Sequence, residues 1–217
     1  TRHASVAALA PLSAKILRRP ITIRSPNNQE REIRNSMANR GNRKGNLALL
    51  DPGASCLLFI DFDETSPGIT PEAPVVGGAH QEVLSKAVEL SIPAFLSFMA
   101  NKEHEHSSSP LDRLIPKEAQ LQRSVINPWK DDRLRQTISE QRRHCLILAG
   151  GWPEGSLAQA ALGALGEAYD VYVLFDLCNG LLDLQNSPVA ARLMQAGVVP
   201  LTARQLVLEW TDAAGTT

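Results

Sequence analysis

The apolar positions of this chain fall into short continuous runs separated by stretches of helical period. Cys56-Leu57-Leu58-Phe59-Ile60 has no polar interruption, as in a strand buried on both faces, and Ile92 to Phe98 is a second such run behind the helix-like stretch Gln81 to Leu90. A short extended piece is predicted around Leu121 to Ile126. From about Asp131 to Gln141 the pattern is helical, with Asp131 and Asp132 at the start, where carboxylates complement the positive end of the helix dipole. His144 to Leu148 then reads as a strand, Gly155 to Ala168 as a helix rich in small residues, and Asp170 to Phe175 as a further strand. The rhythm closes with a helix Val189 to Gln195, a stop at Gly197, a strand Val198 to Leu201 and a helix Ala203 to Trp210.

Strands that are apolar nearly throughout and alternate with helices predict an α/β fold. The arrangement expected is three-layer (αβα) and Rossmann-like, a mostly parallel sheet with helices on both faces. Ligands of such sheets bind beyond the C-terminal ends of the strands. That rule selects the residues after Ile60, after Arg123 and after Leu148.

At 217 residues, 43% hydrophobic and 21% charged, the chain suffices for one domain and is short for two. Its apolar runs are far shorter than the roughly 20 residues of a bilayer span, which argues against an integral membrane protein. The three cysteines, Cys56, Cys145 and Cys178, sit inside apolar runs without C-x-x-C spacing. They read as reduced core thiols, consistent with a cytoplasmic location, and not as a disulfide framework or a zinc cluster of that spacing.

The net charge of −1 hides an asymmetry: residues 1–50 hold ten Lys/Arg and two acids, against twelve and twenty-one in residues 51–217. The basic head, residues 1–50, is expected to be a poorly ordered extension of the domain at 51–217. Three explanations of it stay open. An Arg-rich leader with no acid from Thr1 to Gln29 fits an organellar transit peptide, taken over residues 1–36. Met37-Ala38-Asn39-Arg40 would pass as a natural start, so an over-long reading frame is the second. A nucleic-acid-binding arm is the third, but the head has no aromatic residue to stack on a base and no motif, which argues against a nucleic-acid partner.

At the first strand end stand Asp61, Phe62, Asp63 and Glu64. Such carboxylates can act as a general base or hold Mg²⁺, or can simply be a solvated acidic loop. After the fourth predicted strand, Gly150 and Gly151 allow a sharp turn into Trp152-Pro153-Glu154-Gly155-Ser156. A helix starting near Gly155 would aim its first N–H groups at an oxyanion or carboxylate above Ser156. Serine is also an ordinary helix-starting residue, and these glycines do not form G-x-G-x-x-G. Glu103-His104-Glu105-His106 invites a metal but lacks the H-E-x-x-H spacing and reads better as an exposed loop. Cys178 reads as a buried thiol in preference to a nucleophile.

Four segments together resemble the isochorismatase-like (cysteine hydrolase) superfamily, most of all its YcaC-like branch, over about residues 48–213. These are LLDPGASCLLFID, QRSVINPWKDD, LILAGGWPEGSLAQAALGALGEAYDVYVLFDLCNG and ARLMQAGVVPLTARQLVLEW. The resemblance implies Asp61 as the catalytic carboxylate, Arg123 as the basic catalytic position and Ser156 where the family has its nucleophilic cysteine. It implies Trp152, Pro153, Gly155 and Ser156 as the oxyanion turn, with Phe62, Asn127, Trp129 and Glu154 lining a substrate pocket. The family turn holds a cis peptide, and Trp152-Pro153 is a bond at which cis costs little.

By resemblance the chain is expected to be a hydrolase of a small amide or related C–N substrate, weakened by serine at the nucleophile, without cofactor or metal, and a homo-oligomer. The alternative is a catalytically inactive homologue that binds a small molecule or serves as an oligomeric scaffold; a serine introduced in place of cysteine is a third explanation. Ala160, Ala161, Gly163 and Ala164 offer a small-residue helix face for close packing, either against a second subunit or onto the chain's own sheet.

Overall fold

The computed structural model describes residues 49–62, 77–100, 109–178 and 187–215. Six strands form one sheet: β1 (Ser55–Ile60), β2 (Ala94–Met99), β3 (Gln120–Arg123), β4 (Cys145–Gly150), β5 (Asp170–Leu174) and β6 (Val199–Leu201). Their order is β3-β2-β1-β4-β5-β6 and every neighbouring pair is parallel, so the sheet is all-parallel where a mostly parallel one was expected. The helices are α1 (Gly78–Glu89), α2 (Asp132–Glu140), α3 (Ala158–Gly166), α4 (Pro188–Ala196) and α5 (Ala203–Gly215).

β1 and β4 are central and buried along their whole length, which is why both are unbroken apolar runs. Leu57, Leu58, Phe59 and Ile60 are all fully buried, each contributing about 1.5–3 kcal/mol relative to exposure. The connection from β1 through α1 runs toward β2, whereas those through α3 and α4 run the opposite way along the sheet. Right-handed crossovers therefore put α1 on one face and α3 and α4 on the other. The packing agrees: α1 lies against α5, and α3 against α4 and a short turn at Pro128–Lys130. Trp210 of α5 donates to Ser55 Oγ at 3.3 Å, fastening that helix to the start of β1.

Helix ends follow local chemistry. Asp131 is the N-cap of α2, accepting from Leu134 N at 3.0 Å, and Ser187 caps α4 through Ala190 N. Gly197 (φ 106°) closes α4 with a hydrogen bond from Val198 N to Leu193 O, the stop expected from sequence. Ser91, Arg142 and Ala168 take the same left-handed conformation after α1, α2 and α3.

One expectation is corrected and one open alternative is decided. The helix predicted over Gly155 to Ala168 starts as a wide π-type turn at Pro153–Leu157, and only from Ala158 is it α-helical, because Gly155 (φ −101°, ψ −105°) breaks the helical path. The small-residue face is spent within the chain: Ala160, Ala161 and Ala164 are fully buried, and Gly163 lies under the Trp129 ring. Glu103-His104-Glu105-His106, Asp63, Glu64 and nearly all of the basic head lie outside the described residues.

Candidate active site

The strand order reverses direction between β1 and β4, which makes the crevice at their C-terminal ends the position where parallel sheets of this type hold ligands. Asp61 follows β1, and the turn to Ser156 follows β4. The ladder continues past both strands: Asp61 N donates to Ser97 O on β2, and Gly151 N donates to Ile60 O, each at 2.9 Å. Asp61 is the one positive-φ non-glycine residue described that does not follow a helix (φ 52°). An aspartate held there, completely buried, is a local cost of the kind found at functional sites.

Arg123 ends β3, two strands away, and is also buried. The β1–β2 and β2–β3 registers pair Ile60 with Ser97 and Met99 with Arg123, so Ile60, Ser97 and Arg123 share one face of the sheet. Each guanidinium nitrogen has an acceptor. Nη2 donates to Asp61 Oδ2 in a short, fully buried ion pair; Nη1 donates to Ser97 Oγ at 3.1 Å; Nε donates to Val125 O at 3.0 Å. The expectation of a solvated acidic loop therefore fails for Asp61. Its other oxygen, Oδ1, has no hydrogen-bond partner among the described residues.

Ser156 is likewise fully buried, and its Oγ has no hydrogen-bond partner among the described residues. The turn that carries it depends on two glycines. A Cβ on Gly155 would come within 2.3–2.6 Å of the Trp152 indole, and one on Gly150 within 3.0 Å of Leu157 Cβ. Leu157 N closes the turn onto Trp152 O at 3.3 Å. All peptide bonds of the described residues are trans, Trp152-Pro153 among them, so the cis bond anticipated there is absent. Behind the turn, Cys178 accepts from Gly150 N at 3.4 Å and donates to Leu174 O at 3.2 Å. Burial pushes its thiol up to about 12, so it is a hydrogen-bonded core thiol and not a thiolate nucleophile.

The residues expected by resemblance to line a pocket have the following surroundings. Trp129 packs on Gly163 and edge-on to Tyr169 (centroids 5.6 Å apart), in the helix layer that covers the sheet. Asn127 caps the short turn at Pro128–Lys130 by accepting from Trp129 N at 2.9 Å. Glu154 is exposed on the outside of the turn. Phe62 is buried against Phe59 and His80, with ring centroids 5.9 and 5.3 Å away.

Two residues escaped the sequence reading. Ser97 supplies both its carbonyl to Asp61 and its hydroxyl to Arg123, a role that exists only once β2 is in register between β1 and β3. His80, in the first turn of α1, accepts from Gly77 N through Nδ1 at 3.3 Å. Burial lowers its pKa to about 4, with the Leu177 carbonyl acting weakly in the other direction, so it is a neutral imidazole at ordinary pH. Contact with Phe59 puts His80 on the α1 face, opposite the face of Ile60 and Arg123. An acceptor needed by a helix start, followed by an apolar repeat, was the signal in the sequence for this histidine.

No protein-family model and no curated protein matches the chain. Solved structures do. Over 77% of this chain and 85% of theirs, YcaC from Pseudomonas aeruginosa, solved with hexane-2,5-diol and covalent acrylamide, is similar at a TM-score of 0.65 and 19% identity. YcaC from Escherichia coli, described as an octameric hydrolase of unknown specificity, gives 0.64 and 21% over 77% and 84%. N-carbamoylsarcosine amidase from Thermoplasma acidophilum gives 0.55 and 14% over 69% and 96%. The chain thus has the α/β fold of isochorismatase-like cysteine hydrolases, at identities that establish the fold alone.

Proposed function

We propose that this chain is an isochorismatase-like hydrolase of a small amide or related C–N substrate, with Asp61, Arg123 and Ser156 as its catalytic residues. The observation that carries the reading is the buried Asp61–Arg123 ion pair at the sheet's switch point, with Asp61 Oδ1 left without a hydrogen-bond partner among the described residues beside the turn that bears Ser156. A buried carboxylate oxygen of that kind costs stability unless something else engages it, and a substrate or a nucleophile's proton is what such a position serves.

In this mechanism Ser156 Oγ attacks the substrate carbonyl, its proton passes to Asp61, and the N–H groups of Gly155 and Ser156 at the start of the turn receive the oxyanion. The C–N bond then breaks, the leaving amine takes the proton from Asp61, and water releases the acyl group from Ser156. Arg123 fixes the position of the buried carboxylate through its guanidinium. Serine in place of a thiol makes the first step slow. A carboxylate with a reference pKa near 3.9 is a weak base for a hydroxyl, and the loss of matched general-base catalysis is worth about 10²–10⁴ in rate.

One observation favours a second reading, a catalytically silent homologue that binds a small molecule. Ser156 Oγ donates to no base among the described residues. By likeness to the octameric Escherichia coli protein, either form would assemble as a homo-oligomer. The experiment is turnover of a panel of small primary amides and ureido compounds by the chain and by Ser156→Ala. Slow product release that disappears in the variant supports hydrolysis. Equal background from both proteins, with ligand-induced stabilisation retained, supports the silent form.

A further inference from the structure

At the opposite edge of the sheet from Asp61, the starts of β4 and β5 bring together His144, Cys145 and Asp170. One donor atom from each of the three lies within 4.8 Å of the others, and His144 Nε2 is 4.0 Å from Asp170 Oδ2. Two rigid strands set the geometry: Cys145 is the register partner of Asp170, and Asp170 N donates to His144 O at 2.9 Å. We propose that these three side chains bind a divalent metal ion of the zinc class, at a site separate from the Asp61–Ser156 crevice.

The donor set decides the class. An imidazole nitrogen, a thiolate sulfur and a carboxylate oxygen suit Zn²⁺ or Co²⁺, whereas Mg²⁺ and Ca²⁺ prefer oxygen throughout. Tetrahedral zinc, with bonds of about 2.3 Å to sulfur and 2.0–2.2 Å to nitrogen and oxygen, holds its ligand atoms roughly 3.3–3.6 Å apart. Reaching that spacing from separations of at most 4.8 Å closes them by up to about 1.5 Å, within the reach of rotations of the His144 and Asp170 side chains. At 4.0 Å the imidazole and carboxylate stand beyond hydrogen-bond range, so a direct hydrogen bond does not account for their approach.

The surroundings are compatible. His144 is half-exposed while Cys145 is buried, so an ion would enter from the imidazole side and be held from beneath by sulfur. Arg143, the preceding residue, directs its guanidinium to the carbonyls of Pro52 and Gly53. On binding, the S–H bond of Cys145 breaks, its proton leaves to solvent and the S–metal bond forms; no redox partner is involved.

The test is titration of the full chain with Co²⁺, read by the thiolate-to-Co²⁺ charge-transfer absorption and the visible bands of a tetrahedral ion. One equivalent is expected to give both, and Zn²⁺ to displace it with loss of colour. Cys145→Ser is expected to remove the charge-transfer band, while Cys56→Ser and Cys178→Ser keep it. His144→Ala, at a half-exposed position where folding is not at stake, should weaken Co²⁺ binding more than about tenfold with an unchanged circular dichroism spectrum. Absence of any thiolate band at saturating Co²⁺ would overturn the proposal, as would a band that survives Cys145→Ser or is untouched by His144→Ala; the cluster is then a His–Asp contact only.

Discussion

Replacing Arg123 by methionine isolates the interaction on which the candidate site is built. The guanidinium and the Asp61 carboxylate are both buried, so the variant leaves the carboxylate inside the protein without its ion-pair partner. Removing one partner of such a pair costs about 3–5 kcal/mol, because the remaining charge is left uncompensated. The hydrogen bonds from Arg123 to Ser97 Oγ and Val125 O are lost as well, at about 1 kcal/mol each. For a domain of this size each kcal/mol lowers the melting temperature by roughly 2–4 °C, so the combined loss of about 5–7 kcal/mol is expected to lower it by about 10–28 °C. Urea denaturation of the chain, Arg123→Met, Asp61→Asn and the double variant gives the coupling directly. The double variant should recover at least about 2 kcal/mol relative to the sum of the singles, since it has no buried charge. A loss below about 1 kcal/mol in Arg123→Met, or additivity in the cycle, would refute the reasoning.

Three further outcomes follow from the geometry. Gly155→Ala drives a methyl into the Trp152 indole and should cost about 1–3 kcal/mol in thermal unfolding, with Trp152→Ala in the same chain restoring most of it. His80 is neutral in the fold and takes up a proton on unfolding below pH 6.5, so its contribution is complete above that value and declines until pH is near 4. The decline is on the order of 3 kcal/mol, and denaturation curves of His80→Gln should lack that part of the slope. Cys56 and Cys178, with thiols pushed up to about 12 by burial, should remain unalkylated by iodoacetamide in the native protein and react fully in urea, as read by peptide mass spectrometry.

The layered fold was legible because central parallel strands must be apolar on both faces, and the runs at 56–60 and 145–149 have that property. Local stops were legible for the same reason of direct chemistry: Asp131 can satisfy an N–H and Gly197 can adopt positive φ. Beyond nearest neighbours the sequence was less informative. Asp61 looked as much like a solvated acid as a catalytic one, because its fate depends on Arg123, brought to it only by the β1–β2–β3 pairing. Ser97 was invisible on the same account. Trp129 and Asn127 were read only by analogy, and the sequence did not foretell that the indole packs on Gly163 or that Asn127 caps the turn at Pro128–Lys130. The helix start at Gly155 was misread as plain α-helix, since nothing in Pro-Glu-Gly-Ser foretells that the Trp152 ring lies against Gly155.

The account stands on Asp61, Arg123 and Ser156 forming one reactive site, and the most direct measurement of that is whether a thiol placed at position 156 is activated there. Acrylamide is the appropriate probe, being the molecule found covalently bound in the Pseudomonas aeruginosa relative. Intact-protein and peptide mass spectrometry of Ser156→Cys should show a single adduct at position 156, with Cys56 and Cys178 unmodified. Adding Asp61→Asn should slow its formation at least about tenfold. Position 156 remaining unmodified, or reacting equally fast without the Asp61 carboxylate, would contradict the account.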